Sequence, residues 1–273
     1  MADEVIYFIS DTHLGDGTGA DRFRYPDQLM RLLSKIDAEP GAHLVLLGDL
    51  MELWATSLEP ILIKHAPTFF ALGKLAATHP ITYVVGNHDC LPWYYFVGQG
   101  LGQMRVAERF TAARGALVAL HGHQFDPFNK VSMTEGHLKV PWTRRLVQAV
   151  GVVGRLGGEA AGEAVADMGS VLEKAATGVR QVMEHESPGE RGYPPGERAY
   201  EDAANLLMRQ GARFVVMGHT HHPLVRRLGN RMYVNTGSWV WDRYPPTYGR
   251  FARGQLELLD ANTHQPYVPA LGQ

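Results

Sequence analysis

The stretch VIYFISDTH at residues 5–13 runs an apolar segment straight into an acid and an imidazole two positions apart. A short run rich in β-branched and aromatic residues reads as a buried strand, so Asp11 and His13 fall where that strand ends. Four further stretches repeat the arrangement: LVLL runs into Gly48-Asp49, TYVV into Gly86-Asn87-His88-Asp89, LVAL into His121-Gly122-His123, and FVVM into Gly218-His219-Thr220-His221. In open α/β sheets ligands gather at the carboxyl ends of strands. The pattern therefore predicts a metal site fed by five strand ends.

Outward from these stretches the chain alternates. Up to about residue 122, strand-like runs are separated by amphipathic segments such as PDQLMRLLSKIDAEP at 26–40 and LEPILIKHAPTFFALGKLAATHP at 58–80, which is α/β layering. From about residue 231 onward the pattern is mostly strands. A mixed, two-sheet sandwich flanked by helices accommodates both halves as one domain over 1–273. Residues 124–212 separate the fourth stretch from the fifth, although a crossover needs only about a dozen residues. ERAYEDAANLLMRQG at 197–211 reads as the crossover helix, and 124–196 reads as a mainly helical insertion, broken by Gly and Pro-Gly, that overhangs the site.

Bulk properties narrow the function classes. A net charge of −2 and a pI near 6.7 carry no strong nucleic-acid signal. The single Cys90 precludes an intrachain disulfide, and the acidic opening MADEVIYF is unlike the basic start of a signal peptide, so a cytoplasmic protein is expected. No window approaches the roughly 18 apolar residues that span a bilayer. In KVPWTRRLVQAV at 139–150 apolar and basic residues interleave; this reads as a packed helix with a solvated face, or as a lid that takes an acyl chain or gives peripheral membrane contact at the inner face.

The donor set fixes the kind of metal. At a strand end the i, i+2 spacing is expected to put Asp11 and His13 on one side, where they can chelate one ion. Asp49 has two oxygens and could bridge two ions, with Gly48 freeing the backbone to turn beside it. Asn87, His121, His219 and His221 complete a nitrogen-rich N/O shell that suits Mn, Fe, Zn or Co better than Ca or Mg. Thiolate ligation is absent, which excludes a structural zinc finger. His43, His65, His79, His137, His185 and His264 lie outside the motifs and read as structural.

The order Asp-x-His, Gly-Asp, Gly-Asn-His-Asp, His-Gly and Gly-His-x-His resembles the calcineurin-like metallophosphoesterases over roughly 5–125 and 213–240. The resemblance implies a four-layer α/β/β/α sandwich with two divalent ions, Mn foremost. One would be held by Asp11, His13, Asp49 and His221, the other by Asp49, Asn87, His121 and His219. Such a pair, about 3.5–4 Å apart, generates hydroxide at neutral pH and clamps the phosphoryl oxygens for in-line attack. His88 would stabilise the transition state or protonate the leaving oxygen, with Asp89 orienting its ring. Asn235, before Gly237-Ser238, is similar to the family's strand-end turn near the site, and His123 reads as a phosphate contact, a support for His121 or a solvent-facing group.

Gly48-Asp-Leu-Met-Glu-Leu-Trp54 is similar to the Gly-Asp-x-x-Glu-x-Trp run of the UDP-2,3-diacylglucosamine pyrophosphohydrolases of lipid A synthesis. That likeness implies a nucleotide-linked glycolipid substrate with Trp54 beside it. Those enzymes typically carry Arg at the position of His88 and Asp at that of His123. His88 fits the general phosphoesterase pattern and keeps open a phosphatase or phosphodiesterase acting on proteins, nucleotides or nucleic acid.

Overall fold

A computed structural model describes residues 4–18, 21–90, 100–101, 103–126, 132–134, 137–139, 197–240 and 244–268. The first half holds strands β1 (Val5–Ile9), β2 (Ala42–Leu47), β3 (Ile81–Val84), β4 (Gly100–Leu101), β5 (Met104–Ala107), β6 (Phe110–Ala112) and β7 (Leu117–Ala119), with helices α1 (Pro26–Asp37), α2 (Leu58–Lys64) and α3 (Ala66–Ala76). A short pair, β8 (Ser132–Thr134) and β9 (His137–Lys139), precedes helix α4 (Glu197–Arg209). Strands β10 (Phe214–Met217), β11 (Pro223–Leu228), β12 (Arg231–Thr236), β13 (Thr247–Ala252) and β14 (Gln255–Asp260) follow.

Two mixed sheets result, ordered β14-β13-β1-β2-β3-β5-β4 and β11-β12-β10-β7-β6. The period-two alternation of β1 shows why they stack. Ile6 and Phe8 point into a core shared with Leu117, Phe214, Val216 and Val234 of the second sheet. Tyr7 and Ile9 point the other way, onto Leu29, Leu32, Leu33 and Ile36 of α1. Those four positions form one helix face at i, i+3, i+4 and i+7, and Pro26 occupies the first turn, where its missing N–H costs nothing. On the far side Tyr200, Ala204 and Met208 of α4 cover Val215 and Met217 of β10. The chain is thus the α/β/β/α sandwich expected from its sequence.

The crossover helix falls where the pattern placed it, at Glu197–Arg209. The β8–β9 hairpin was not anticipated within a segment read as helical. The helical stretches expected at 139–158 and 160–186 lie outside the described residues, apart from Lys139 at the end of β9. No helix among the described residues is long and apolar enough to cross a membrane.

Candidate metal centre

Strands β1, β2 and β3 run parallel in one sheet, and β7 and β10 run parallel in the other, so within each sheet their carboxyl ends share an edge. Asp11, His13, Asp49, His219 and His221 all have left-handed backbones, with φ of 53°, 46°, 53°, 72° and 62°. Non-glycine residues rarely adopt this conformation, and it persists only where the surroundings enforce it. Here Asp11 N–H donates to Gly48 O at 3.1 Å, His13 N–H to Asp49 O at 3.0 Å, and His219 N–H to the Asp11 carboxylate at 2.9 Å. Strand alternation therefore does not set the directions of Asp11 and His13, contrary to the expectation from their i, i+2 spacing. They converge because left-handed residues on either side of Thr12 redirect the chain, since β1 has already ended at Ile9.

The motif glycines are spaces as much as hinges. A Cβ on Gly86 would strike the Asp49 carboxylate and backbone nitrogen, one on Gly218 the Asp11 carboxylate, and one on Gly48 the His121 ring. Gly86→Ala is therefore expected to displace Asp49, lowering stability by about 2 kcal/mol as overpacked sites do and reducing bound metal. Thermal unfolding and metal analysis on the same sample check both effects.

Two clusters form around Asp49. In the first, Asp11 Oδ1 is buried and accepts no hydrogen bond, with His221 Nε2 at 3.3 Å and His13 Nε2 at 3.9 Å. His13 Nε2 and His221 Nε2 face each other at 3.2 Å. In the second, His121 Nε2 lies 3.1 Å from Asp49 Oδ2 and 3.2 Å from Asn87 Oδ1, and His219 joins Asp49 and His121 as a ligand-capable group. Asp49 Oδ2 is also 3.9 Å from His13 Nε2, so one carboxylate adjoins both clusters. His13 spends Nδ1 on Glu52 at 2.9 Å and His121 spends Nδ1 on Leu47 O at 2.8 Å. This leaves Nε2 of each aimed inward. An orphaned buried carboxylate oxygen among imidazole nitrogens fits a divalent cation, and N/O donors fit a transition metal.

The electrostatics agree. Burial alone would raise Asp11 and Asp49, yet His121 and its neighbours hold both well below the usual carboxylate range. Burial would lower His13 and His121, yet for His13 the nearby Asp11 carboxylate and the hydrogen-bonded Glu52, and for His121 the charges of Asp49 and Asp11, push them up to about 10 and about 9. The site is a negative field that retains positive charge.

His88 stands outside both clusters. Its backbone N–H donates to Asp49 Oδ1 at 2.8 Å, and its Nδ1 lies 2.8 Å from Glu52 Oε1. Glu52, which also holds His13, is buried and kept ionised by His88 and His13 against the cost of burial. His13, Glu52 and His88 could also be grouped as metal donors. Their 2.8–2.9 Å contacts are those of imidazole–carboxylate hydrogen bonds through the two Nδ1 atoms. The Trp54 ring stacks on His88 at 4.0 Å and 15°, and its indole N–H donates to Asn87 O at 2.7 Å.

The surroundings of Asp89, Trp54, Asn235 and His123 define what each side chain touches. Asp89 does not orient His88. It is fully buried, accepts from the Leu50 and Gly86 N–H groups and the Tyr83 hydroxyl, and burial together with Asp49 raises it to about 6. It ties the β2 loop to the β3 loop, and Glu52 takes the role assigned to it. Trp54, 3% exposed, lies beneath the His88 ring. Asn235 is fully buried, bonding Gly218 O and Thr220 Oγ1 through Nδ2. His123 is fully buried behind His121 and His219, and burial keeps it neutral. Trp54→Leu is expected to lower kcat about tenfold with little change in KM, as loss of roughly 1.4 kcal/mol of ring positioning implies. Trp54→Phe, which keeps the stack, should stay within a few-fold by steady-state kinetics.

Glu197 and Asp126 were not singled out from the sequence. The Thr220 hydroxyl, between His219 and His221, donates to Glu197, which burial raises from 4.5 to about 7. The folded state thus keeps a proton that the unfolded chain has lost, and stability falls as pH rises from about 4.5 towards 7. The shift corresponds to about 3 kcal/mol. Glu197→Gln is expected to narrow the melting-temperature difference between pH 5 and pH 8. His43, His65 and His79 lie elsewhere, against Thr82, Asp21 and Thr78.

A family profile described as calcineurin-like phosphoesterase matches residues 5–223. The chain belongs to the calcineurin-like phosphoesterase family. It is accordingly a hydrolase of phosphoester bonds, in a family that is typically dependent on a pair of metal ions. No curated protein matches it. Among solved structures, Yfce, a phosphoesterase from E. coli, is 16% identical, with 97% of each chain covered and a TM-score of 0.44. A predicted phosphoesterase from Streptococcus pneumoniae is 15% identical, covering 99% of this chain and 96% of that one at a TM-score of 0.43. Vacuolar Protein Sorting 29 from Cryptosporidium parvum is 12% identical, covering 97% and 95% at a TM-score of 0.46.

Proposed function

We propose that this calcineurin-like phosphoesterase hydrolyses a phosphodiester or pyrophosphate bond at a dinuclear centre. Asp11, His13, Asp49 and His221 would hold one ion, and Asp49, Asn87, His121 and His219 the second. The observation that carries the reading is Asp49, a single carboxylate adjoining two imidazole clusters, one of which contains the orphaned Asp11 oxygen. Bound there, two ions, Mn foremost, supply Lewis acidity that activates water and neutralises phosphoryl charge.

The chain's own residues do the rest. Glu52 fixes His88 through Nδ1, which leaves Nε2 as the nitrogen that can donate to a leaving oxygen. Trp54 covers one face of the ring and limits its rotation. Asp89, Asn235 and Glu197 hold the loops from which the ligands project.

For the substrate, the Gly48–Trp54 run and the segment at 124–196 support a UDP-linked acylated sugar of the 2,3-diacylglucosamine type, met by a cytoplasmic enzyme at the inner face of a membrane. The alternative is a phosphatase or phosphodiesterase with a protein, nucleotide or nucleic-acid substrate, which His88 favours. Purified Mn-loaded protein assayed against UDP-diacylglucosamine, bis-p-nitrophenyl phosphate, cyclic nucleotides, single-stranded DNA and a phosphopeptide separates them. UMP release at a kcat/KM at least tenfold above that for the small diester supports the glycolipid. Turnover of the small diester with none of the glycolipid leaves the alternative, and no turnover of any member overturns the reading.

A further inference from the structure

His219 differs from the other candidate ligands in which nitrogen it commits. His13 and His121 each give up Nδ1 and keep Nε2 for the centre, whereas His219 sets Nε2 against Asp126 Oδ2 at 3.0 Å. Its remaining nitrogen is Nδ1. Asp126 closes the short turn His123–Phe125 that follows His121, with its own N–H donated to His123 O at 3.1 Å. One short loop thus carries His121 and the carboxylate that addresses His219. The His219 ring is boxed in by His121 at 5.1 Å and Tyr200 at 5.9 Å, which leaves it little freedom to present the other edge.

We infer that Asp126 is a positioning residue for the second ion. By accepting the Nε2 proton it fixes the tautomer and orientation of His219, so that the Nδ1 lone pair is the one offered beside Asp49 and His121. A carboxylate behind a ligating imidazole also makes the ring a stronger donor, and losing such a partner weakens metal binding by about 10–100-fold. The inference rests on the proposed assignment of His219 as a ligand of the second ion. It adds Asp126, which belongs to neither cluster, and predicts an effect confined to one of the two ions.

Metal-stripped protein titrated with Mn(II) and followed by electron paramagnetic resonance tests it. Wild type should develop an exchange-coupled two-ion spectrum as the second equivalent is added. Asp126→Ala should bind the first ion with unchanged affinity, show an isolated-ion spectrum at two equivalents, and reach the coupled spectrum only at about 10–100-fold higher free Mn(II). Asp126→Asn, which keeps an acceptor oxygen without the charge, should fall between. His219→Ala should never give the coupled spectrum. If wild type forms no coupled pair, or His219→Ala still forms one, the ligand assignment itself fails. If His219→Ala loses the pair while Asp126→Ala forms it at the wild-type concentration, the role of Asp126 alone is overturned. Equal weakening of both ions in Asp126→Ala also overturns it.

Discussion

Asp49→Asn is expected to remove both metal sites and, with them, hydrolysis. Asp49 Oδ2 stands 3.1 Å from His121 Nε2 and 3.9 Å from His13 Nε2, while Oδ1 accepts the His88 N–H at 2.8 Å. An amide retains the contact to His88 but turns an NH2 group toward the imidazoles, so neither cluster keeps a shared anionic oxygen. The substitution should fold, because Asn tolerates the φ of 53° found at this position. The expected fall in kcat is about 10³-fold or more, since losing one transition-state donor alone costs about 10²–10³-fold. Metal analysis should show fewer than two ions per chain alongside an unchanged circular dichroism spectrum.

His88→Ala is the counterpart, with metal retained and turnover lost. His88 belongs to neither cluster around Asp49, and its contact with that residue is through the backbone, which alanine preserves. The ring held by Glu52 and Trp54 is removed. A general acid contributes about 10²–10⁴-fold, and its loss should depend on the leaving group. A p-nitrophenolate departs without a proton, so its esters should be the least affected, whereas alkyl phosphodiesters should lose the full factor. Equal losses across a leaving-group series, with both ions in place, would assign His88 to phosphate binding rather than proton donation.

The parts of this protein that local sequence encodes are the parts that were legible. Each apolar run and the ligands at its end lie within ten residues, and the motif glycines mark the places where a Cβ would strike Asp49, Asp11 or His121. The expected donors accordingly gather in two neighbouring groups, Asp11, His13 and His221 in one and Asp49, His121 and His219 with Asn87 in the other, with Asp49 adjoining both. The supports were harder to read because they act across the chain. Glu52 reaches His88 over 36 residues and Asp126 reaches His219 over 93, and no spacing rule connects such pairs. Asp89 shows the opposite error: adjacency to His88 suggested a partner, but its carboxylate turns inward to Leu50, Gly86 and Tyr83. Trp54 was read as lying beside substrate, Asn235 as part of a strand-end turn near the site, and His123 as a phosphate contact, a support for His121 or a solvent-facing group. The folded chain buries all three.

The most direct test of the dinuclear reading is a stoichiometric one. Metal-stripped protein is titrated with Mn(II) while hydrolysis of bis-p-nitrophenyl phosphate is followed. With two sites sharing Asp49 and both ions required, activity should remain low through the first equivalent, rise through the second and plateau at two ions per chain. A plateau at one ion, or undiminished hydrolysis in the presence of a chelator, would contradict it.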